Sequence, residues 1–260
     1  MERDFKIEFS DSEFNRLYSE YLKQQEKFNI IAKEKINIYK KDLTKIINEY
    51  KPDCKALYDD AVDKVIKSEF AVKGETLYRG YYCPSPILDI VVGNINRGKI
   101  LKRVSVKSKT TYEYGFDDQG KLVLVKHLYN DEFDNIGTES AEVILHRKNS
   151  IIGILINLDK GGEITIEAVS ESIYDEQDRI ESFSYGYIDE KGDIYELSKE
   201  IYSYDNEGLK TSEVYLYEGS GYSFDKYTFE HDSEGYLREY TAEPSMFSDN
   251  KYKVYLKRKV

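Results

Sequence analysis

The sequence predicts an α+β protein in which N-terminal helices pack on a large, open, twisted antiparallel β-meander of about ten or eleven strands. Three observations carry this expectation. Residues 11–50 contain neither Gly nor Pro and space their apolar side chains by three or four. From 112 to 240 a turn signature recurs every 12–17 residues. The stretches between turns are rich in β-branched residues and tyrosine, and the chain holds 25 Tyr with no Trp and only 4 Pro. The expected organisation is a helical region over 1–74, a connector over 75–99 and the meander over 100–260.

Helix one takes its apolar face from Phe14, Leu17, Tyr18, Tyr21, Leu22, Phe28, Ile31, Tyr39, Leu43, Ile46 and Ile47. Ser10, Asp11 or Ser12 caps its start, a break near Ile36 is one option, and Pro52 disfavours helix at Lys51. Helix two fits 53–72, with Gly74 beyond its end. The heptad-like stripe in helix one fits cover for the protein's own sheet, with a coiled-coil dimer as the alternative. In the connector, Leu88 to Val92 reads as a short buried strand.

The turn signature is an apolar residue, Asp, two polar residues and Gly. It fits Phe116-Asp117…Gly120, Phe133-Asp134…Gly137, Leu158-Asp159…Gly162, Ile188-Asp189…Gly192, Tyr204-Asp205…Gly208 and His231-Asp232…Gly235. Weaker copies end at Ser150, Asp178 and Gly221. Turn chemistry explains the pattern. The Asp carboxylate accepts backbone N–H groups just ahead of it, and glycine takes the left-handed conformation that closes the hairpin. At 205–208 the copy departs, because Leu209 follows at once.

The first strand (Lys99, Lys102, Arg103, Lys107, Lys109) and the last (Lys251, Lys253, Lys257, Arg258, Lys259) are both basic, which favours an open sheet with lysine-rich edges over a closed barrel. Near-continuous apolar runs at 122–125 and 151–158 place the helices over the strands of 121–158 and leave the Tyr-rich stretch 171–243 more open.

Gly93-Asn-Ile-Asn-Arg-Gly98-Lys99-Ile100 nearly matches a phosphate-binding loop, but Ile100 stands where a hydroxyl is needed and the continuation is strand-like. His127, His146 and His231 show no metal-ligand spacing, and Cys54 and Cys83 form at most one disulfide. Catalytic, metal and cofactor sites are therefore expected to be none. The formal net charge is −11, yet residues 111–250 hold 32 acidic and 11 basic side chains, a net of −21. Such a field repels nucleic acid and attracts basic partners. No apolar stretch reaches membrane-span length and the start does not read as a signal peptide, so a cytoplasmic location without membrane contact is expected.

The units Tyr114-x-Phe116-Asp117-x-x-Gly120-x-Leu122, Phe229-x-His231-Asp232-x-x-Gly235-x-Leu237 and Tyr202-x-Tyr204-Asp205-x-x-Gly208 resemble the YD repeats of Rhs and wall-associated bacterial proteins. The resemblance covers about half the chain, with shorter and uneven spacing. It implies kinship with degenerate-repeat immunity proteins of bacterial polymorphic toxin systems. Together with the charge, it gives the expected function: a binding protein, not an enzyme, that neutralises a basic toxin or nuclease. Its expected contacts are Tyr185, Tyr187, Asp189, Glu190, Tyr202, Tyr204, Asp205 and Glu207, tyrosine anchors inside an acidic rim. The alternatives are a carbohydrate- or surface-binding β module, or an enzyme with a site between helices and sheet.

Overall fold

The computed structural model describes residues 11–72, 82–91, 98–102, 111–130, 136–158, 164–219, 221–244 and 251–253. Helix α1, Asp11–Tyr50, is one unbroken rod of 40 residues, about 60 Å at 1.5 Å per residue. No break occurs at Ile36, which is fully buried. A single 3-10 turn, Lys51–Asp53, turns the chain at Pro52 into α2, Cys54–Lys64.

The expected second helix stops eight residues short. Residues 67–72 instead form β1, Lys67–Val72, and that strand pairs antiparallel with β3, Thr111–Phe116. Tertiary pairing overrides the helical spacing here. The corner is held by the Ile66 N–H donating to the Phe116 carbonyl at 2.9 Å. Val65 also sits over Gly115, where an added Cβ would lie 2.5 Å from Val65 Cγ2. The connector contains a short helix, α3, Pro86–Ile90, rather than the strand expected at 88–92. Apart from Gly98, the phosphate-loop-like segment at 93–98 lies outside the described residues.

Strand β2, Lys99–Leu101, pairs with β1 at one edge of the sheet. After β3 the meander runs through β4 Leu122–Asn130, β5 Ile136–His146, β6 Ser150–Leu158, β7 Ile164–Tyr174, β8 Ile180–Ile188 and β9 Ile194–Asp205. It continues through β10 Gly208–Glu218, β11 Gly221–His231, β12 Leu237–Glu243 and β13 Lys251–Lys253. Among the described residues all pairings are antiparallel, in one 13-stranded open sheet ordered β13 to β3 and then β1 and β2. The strands from β3 onward match the expected ladder. The additional one is β1; β2 falls at the start of the first expected strand, whose residues 103–110 lie outside the described residues.

The turns have the chemistry that their sequence requires. Asp117 Oδ1 accepts the N–H groups of Gln119 and Lys121 at 2.9 and 2.8 Å. Asp175, Asp189 and Asp232 each accept two N–H groups in the same register. Gly120, Gly192 and Gly235 close these turns at φ 75, 88 and 78, and Asp178 takes the same role at φ 61. Asp205, in the divergent copy, accepts only the Glu207 N–H on the same pattern. The copies at 133–137 and 158–162 lie largely outside the described residues.

Both faces of β8 and much of β9 are buried, which corrects the expectation of an open Tyr-rich half there, while β11 and β12 are mostly half-buried. On one face α1 crosses β7 to β11, while α2 rests on β4, β5 and β7. The helices therefore reach well beyond the strands at 121–158, because a rod of this length spans several strands at about 4.8 Å each. Leu43 packs so closely over Gly186 that a Cβ there would meet Leu43 Cδ1 at 2.9 Å. On the other face, buried side chains of β1, β3, β4 and β5 share one cluster with those of β8 to β12, and Cys83, Ile87 and Ile90 lie among them. A flat sheet of this size would be about 58 Å across, too wide for a ten-residue segment to cover. Tyr82 packs on Tyr114 of β3 while Ser85 donates to Glu200 of β9, six strands away, so the sheet must curve around residues 82–91, as large twisted sheets tend to do. Cys54 and Cys83 are both free and belong to cores on opposite faces of the sheet.

Two substitutions test this account by urea unfolding. Asp117→Ala removes the acceptor of two turn N–H groups and is expected to cost about 1–2 kcal/mol. Leu43→Ala opens a cavity at the helix–sheet contact and is expected to cost about 2–5 kcal/mol. Equal stability of either variant with the parent would contradict the role given to that residue.

Candidate functional site

Consecutive antiparallel strands send successive turns to opposite ends of the sheet, so the meander has two rims. One rim carries the β8–β9 and β10–β11 turns and the starts of β7 and β9. The other carries the β3–β4, β5–β6, β7–β8, β9–β10 and β11–β12 turns.

The expected contact residues separate along this division. Asp189 and Glu190 are exposed on the first rim, and Asp205 and Glu207 are exposed on the second. The 12 residues of β9 lie between them, about 40 Å of strand. The four tyrosines are not exposed anchors. Tyr185 and Tyr202 are buried on the inner, cupped face, at 6% and 4% exposure. Tyr202 donates its hydroxyl to Glu200 Oε2, which also accepts Ser85 Oγ at 2.6 Å, so it helps fasten the 82–91 segment inside the cup. Burial, followed by the Glu200 charge, holds the Tyr202 phenol well above its ordinary pKa. Tyr204 is half-buried, donates to the Ile180 carbonyl at 2.9 Å and carries the Arg179 guanidinium 4.6 Å from its ring centre. Tyr187 is half-buried and packs edge-on to Tyr185, 6.0 Å between ring centres. Alternation along a strand shows that these rings share a face, but the covering of that face is a tertiary fact.

Both rims hold carboxylates without ion pairs among the described residues, on the second Asp117, Asp118, Glu176, Asp178 and Glu207, and the second also holds ion pairs. On the second rim Arg179 pairs with Asp175 at 2.8 Å and Lys210 with Asp205 at 3.6 Å. On the first rim Glu167, Asp189, Glu190, Asp193, Glu196 and Glu218 make no ion pair among the described residues. Glu196 and Glu218 stand directly opposite each other on paired strands, an arrangement that costs stability. Burial, followed by the Glu218 charge, raises the Glu196 carboxyl above its usual range, against a weaker lowering by the Tyr185 hydroxyl.

A cleft of about 560 Å³ opens on this rim where α1 meets α2. Ile164, Ile166, Ile188 and Cys54 give it an apolar lining, while Glu167, Asp189, Glu190 and Lys51 supply charge. Cys54 Sγ reaches the Ile164 carbonyl at 3.6 Å, and burial pushes its thiol pKa up, the opposite of what a reactive thiolate needs. This lining is chemically complementary to an aliphatic stem ending in a cation, the chemistry of Lys or Arg, and Lys51 of the chain itself already supplies one such group. A second cleft, about 440 Å³, lies on the other rim and mixes Asp60 and Asp117 with Lys64, Lys121 and Arg147.

Between helices and sheet, Lys199 Nζ donates to Ser182 Oγ at 2.9 Å, and burial lowers the lysine pKa. A serine beside such a lysine is a pairing used for nucleophilic catalysis. Ser182 is 6% exposed, however, and neither residue lines either cleft. His146 Nε2 lies 2.8 Å from the Leu122 carbonyl and His127 stacks on Tyr112. Among the described residues no group of three or more His, Cys, Asp or Glu is placed to hold a metal ion, and no helix is long and apolar enough to cross a membrane.

Glu167, Asp193, Glu196 and Glu218 were absent from the expected contacts. Counting alternate turns could have grouped the Glu190 and Glu218 tips and excluded Asp205. That these carboxylates make no ion pair was not readable.

The linkage at Glu196 gives a test. A carboxyl whose folded pKa is raised binds more protons folded than unfolded, so stability falls as pH rises from its unfolded value of about 4.5 through the folded one. Glu196→Gln is expected to increase stability at neutral pH and to flatten that decline in thermal melts. A neutral or destabilising effect at pH 7 would remove the strain assigned to the Glu196–Glu218 pair.

No protein-family model matches the chain, and no curated protein matches it. Among solved structures it is similar to a porin-like protein from Bacteroides uniformis, at 12% identity and a TM-score of 0.25. The match covers 50% of this chain and spans about half of the other, 56%. A likeness at that level supports no argument about fold or activity.

Proposed function

We propose that this chain is a binding protein whose acidic first rim docks a basic polypeptide, in the manner of an immunity protein that neutralises a toxin or nuclease by direct contact in the cytoplasm. The observation that carries this reading is the cleft lined by Glu167, Asp189 and Glu190, which make no ion pair among the described residues, with the Glu196–Glu218 pair on the same rim. Stability alone does not account for Glu196 opposite Glu218, whereas a cation arriving between them relieves their repulsion. The negative field around them speeds encounter with a basic partner. The degenerate YD-like repeats supply the turns that build the rims. They support the immunity reading by resemblance, and their Asp and Gly are already explained by backbone geometry.

The experiment is association kinetics, at several salt concentrations, with any toxin domain found encoded beside this chain's gene; failure to bind any basic partner at low salt would sink the reading. Replacing Asp189, Glu190, Glu196 and Glu218 with their amides is expected to slow association about tenfold or more at low salt and to flatten its salt dependence. Glu176→Gln with Glu181→Gln, at the second-rim end of the sheet, serves as the control and is expected to change little. Unchanged kinetics in the first-rim variant would place the interface elsewhere.

A further inference from the structure

The first-rim cleft already holds a cation of the chain's own. Lys51 lines it together with Glu167, Asp189 and Glu190, and among the described residues it is the one basic lining residue. Its amine lies over the β8–β9 turn, 3.4 Å from where a Cβ on Gly192 would stand. The backbone beneath it is fixed. α1 ends at Tyr50 just after the buried Ile46 and Ile47, Pro52 restricts the 3-10 turn, and the buried Cys54 begins α2. The side chain has more freedom. Lys51 is exposed and makes no ion pair among the described residues, so its amine stands in the field of three carboxylates and is committed to none of them. Lys191, at the tip of the same turn, is exposed as well but does not line the cleft.

We infer that the Lys51 ammonium is a tethered, displaceable ligand of this cleft, whose place a lysine or arginine of the partner must take. The inference rests on the reading of the cleft as a cation site and adds the regulation of that site. An aliphatic stem with a terminal ammonium is what the mixed apolar and acidic lining accommodates. Held on a rigid corner, such a group competes at an effective concentration on the order of millimolar. The resident amine weakens apparent affinity according to the time it spends in the site: occupancy of about nine-tenths costs a competing cation about tenfold. No fixed ion pair has to be broken for the exchange, because Lys51 has none among the described residues. The cleft therefore discriminates against weakly basic partners while staying open to strongly basic ones.

The test titrates the full chain with acetyl-arginine N-methylamide, which carries a single cation, and follows the backbone amide signals of Ile166, Ile188 and Gly192 by NMR. Salt is held at about 0.15 M, where charges beyond about 8 Å are largely screened. Lys51→Gln is expected to tighten binding about fivefold or more, and Lys51→Met to act in the same direction. Lys191→Gln makes the same change of charge outside the cleft lining and is expected to alter binding by less than about twofold. Both lysines are exposed, so thermal melting should be unchanged. Equal or weaker binding by Lys51→Gln overturns the inference. An equal gain from Lys191→Gln reduces the effect to the general field and overturns it as well. So does a gain from Lys51→Met without one from Lys51→Gln, which assigns the effect to added apolar surface. If parent and Lys51→Gln bind alike and the probe still moves these amides, the cleft remains a cation site and the proposed function stands without the tethered ligand. If the probe moves none of them in either form, the cleft is no cation site and both readings fall.

Discussion

The constraint on which this structure depends is the sign change at every hairpin. Each Asp–Gly turn reverses the chain, so alternate turns accumulate on opposite rims, and whatever chemistry the tips carry is sorted into two groups. The sorting is rigid because the turns are. A carboxylate holding two backbone N–H groups, with a left-handed residue closing the loop, leaves little freedom of register. A single residue of slippage would exchange the inner and helix-bearing faces of a strand and expose its core. The local bond between Asp189 and its own backbone thus determines which rim Glu190 occupies and which face Tyr187 lines.

The cup gives the two faces different tasks. One face supports α1 and α2 through aliphatic contacts such as Leu43 over Gly186. The other turns its tyrosines inward around residues 82–91, where Ser85, Glu200 and Tyr202 share a buried hydrogen-bonded group. Tyrosine suits this position because its ring fills the cup while its hydroxyl satisfies a buried acceptor. The large number of tyrosines is thereby accounted for by packing. The acidic excess is not, since carboxylates on both rims, among them Asp117, Glu176 and Glu207 as well as Asp189 and Glu190, have no ion pair among the described residues.

Much of the fold was legible. The long helix, the ladder from β3 onward, the open sheet and Lys99, Lys251 and Lys253 on its edge strands follow from local rules: periodicity, capping by proline and turn chemistry. The other basic edge positions at 103–109 and 257–259 lie outside the described residues. The failures have a common cause. Residues 67–72, expected at the end of the second helix, bond to β3, the connector strand is a short helix, and α1 lies over strands that looked open, because partners distant in sequence decide each case. The candidate site was half legible. Asp189 and Glu190 remain in it, while Asp205 and Glu207 belong to the opposite rim and the tyrosines to the interior.

By itself the sequence determined the turns, the strand alternation and the total of negative charge, since these depend on neighbours within a few residues. Only the tertiary structure decided which carboxylates face a cation and which do not. Counter-ions such as Arg179 and Lys210 are assigned by proximity across turns and strands. It also decided that the Tyr-rich face is an interior and that α1 crosses β7 to β11. Coverage depends on the curvature of the sheet and the reach of one helix, and no local pattern encodes either.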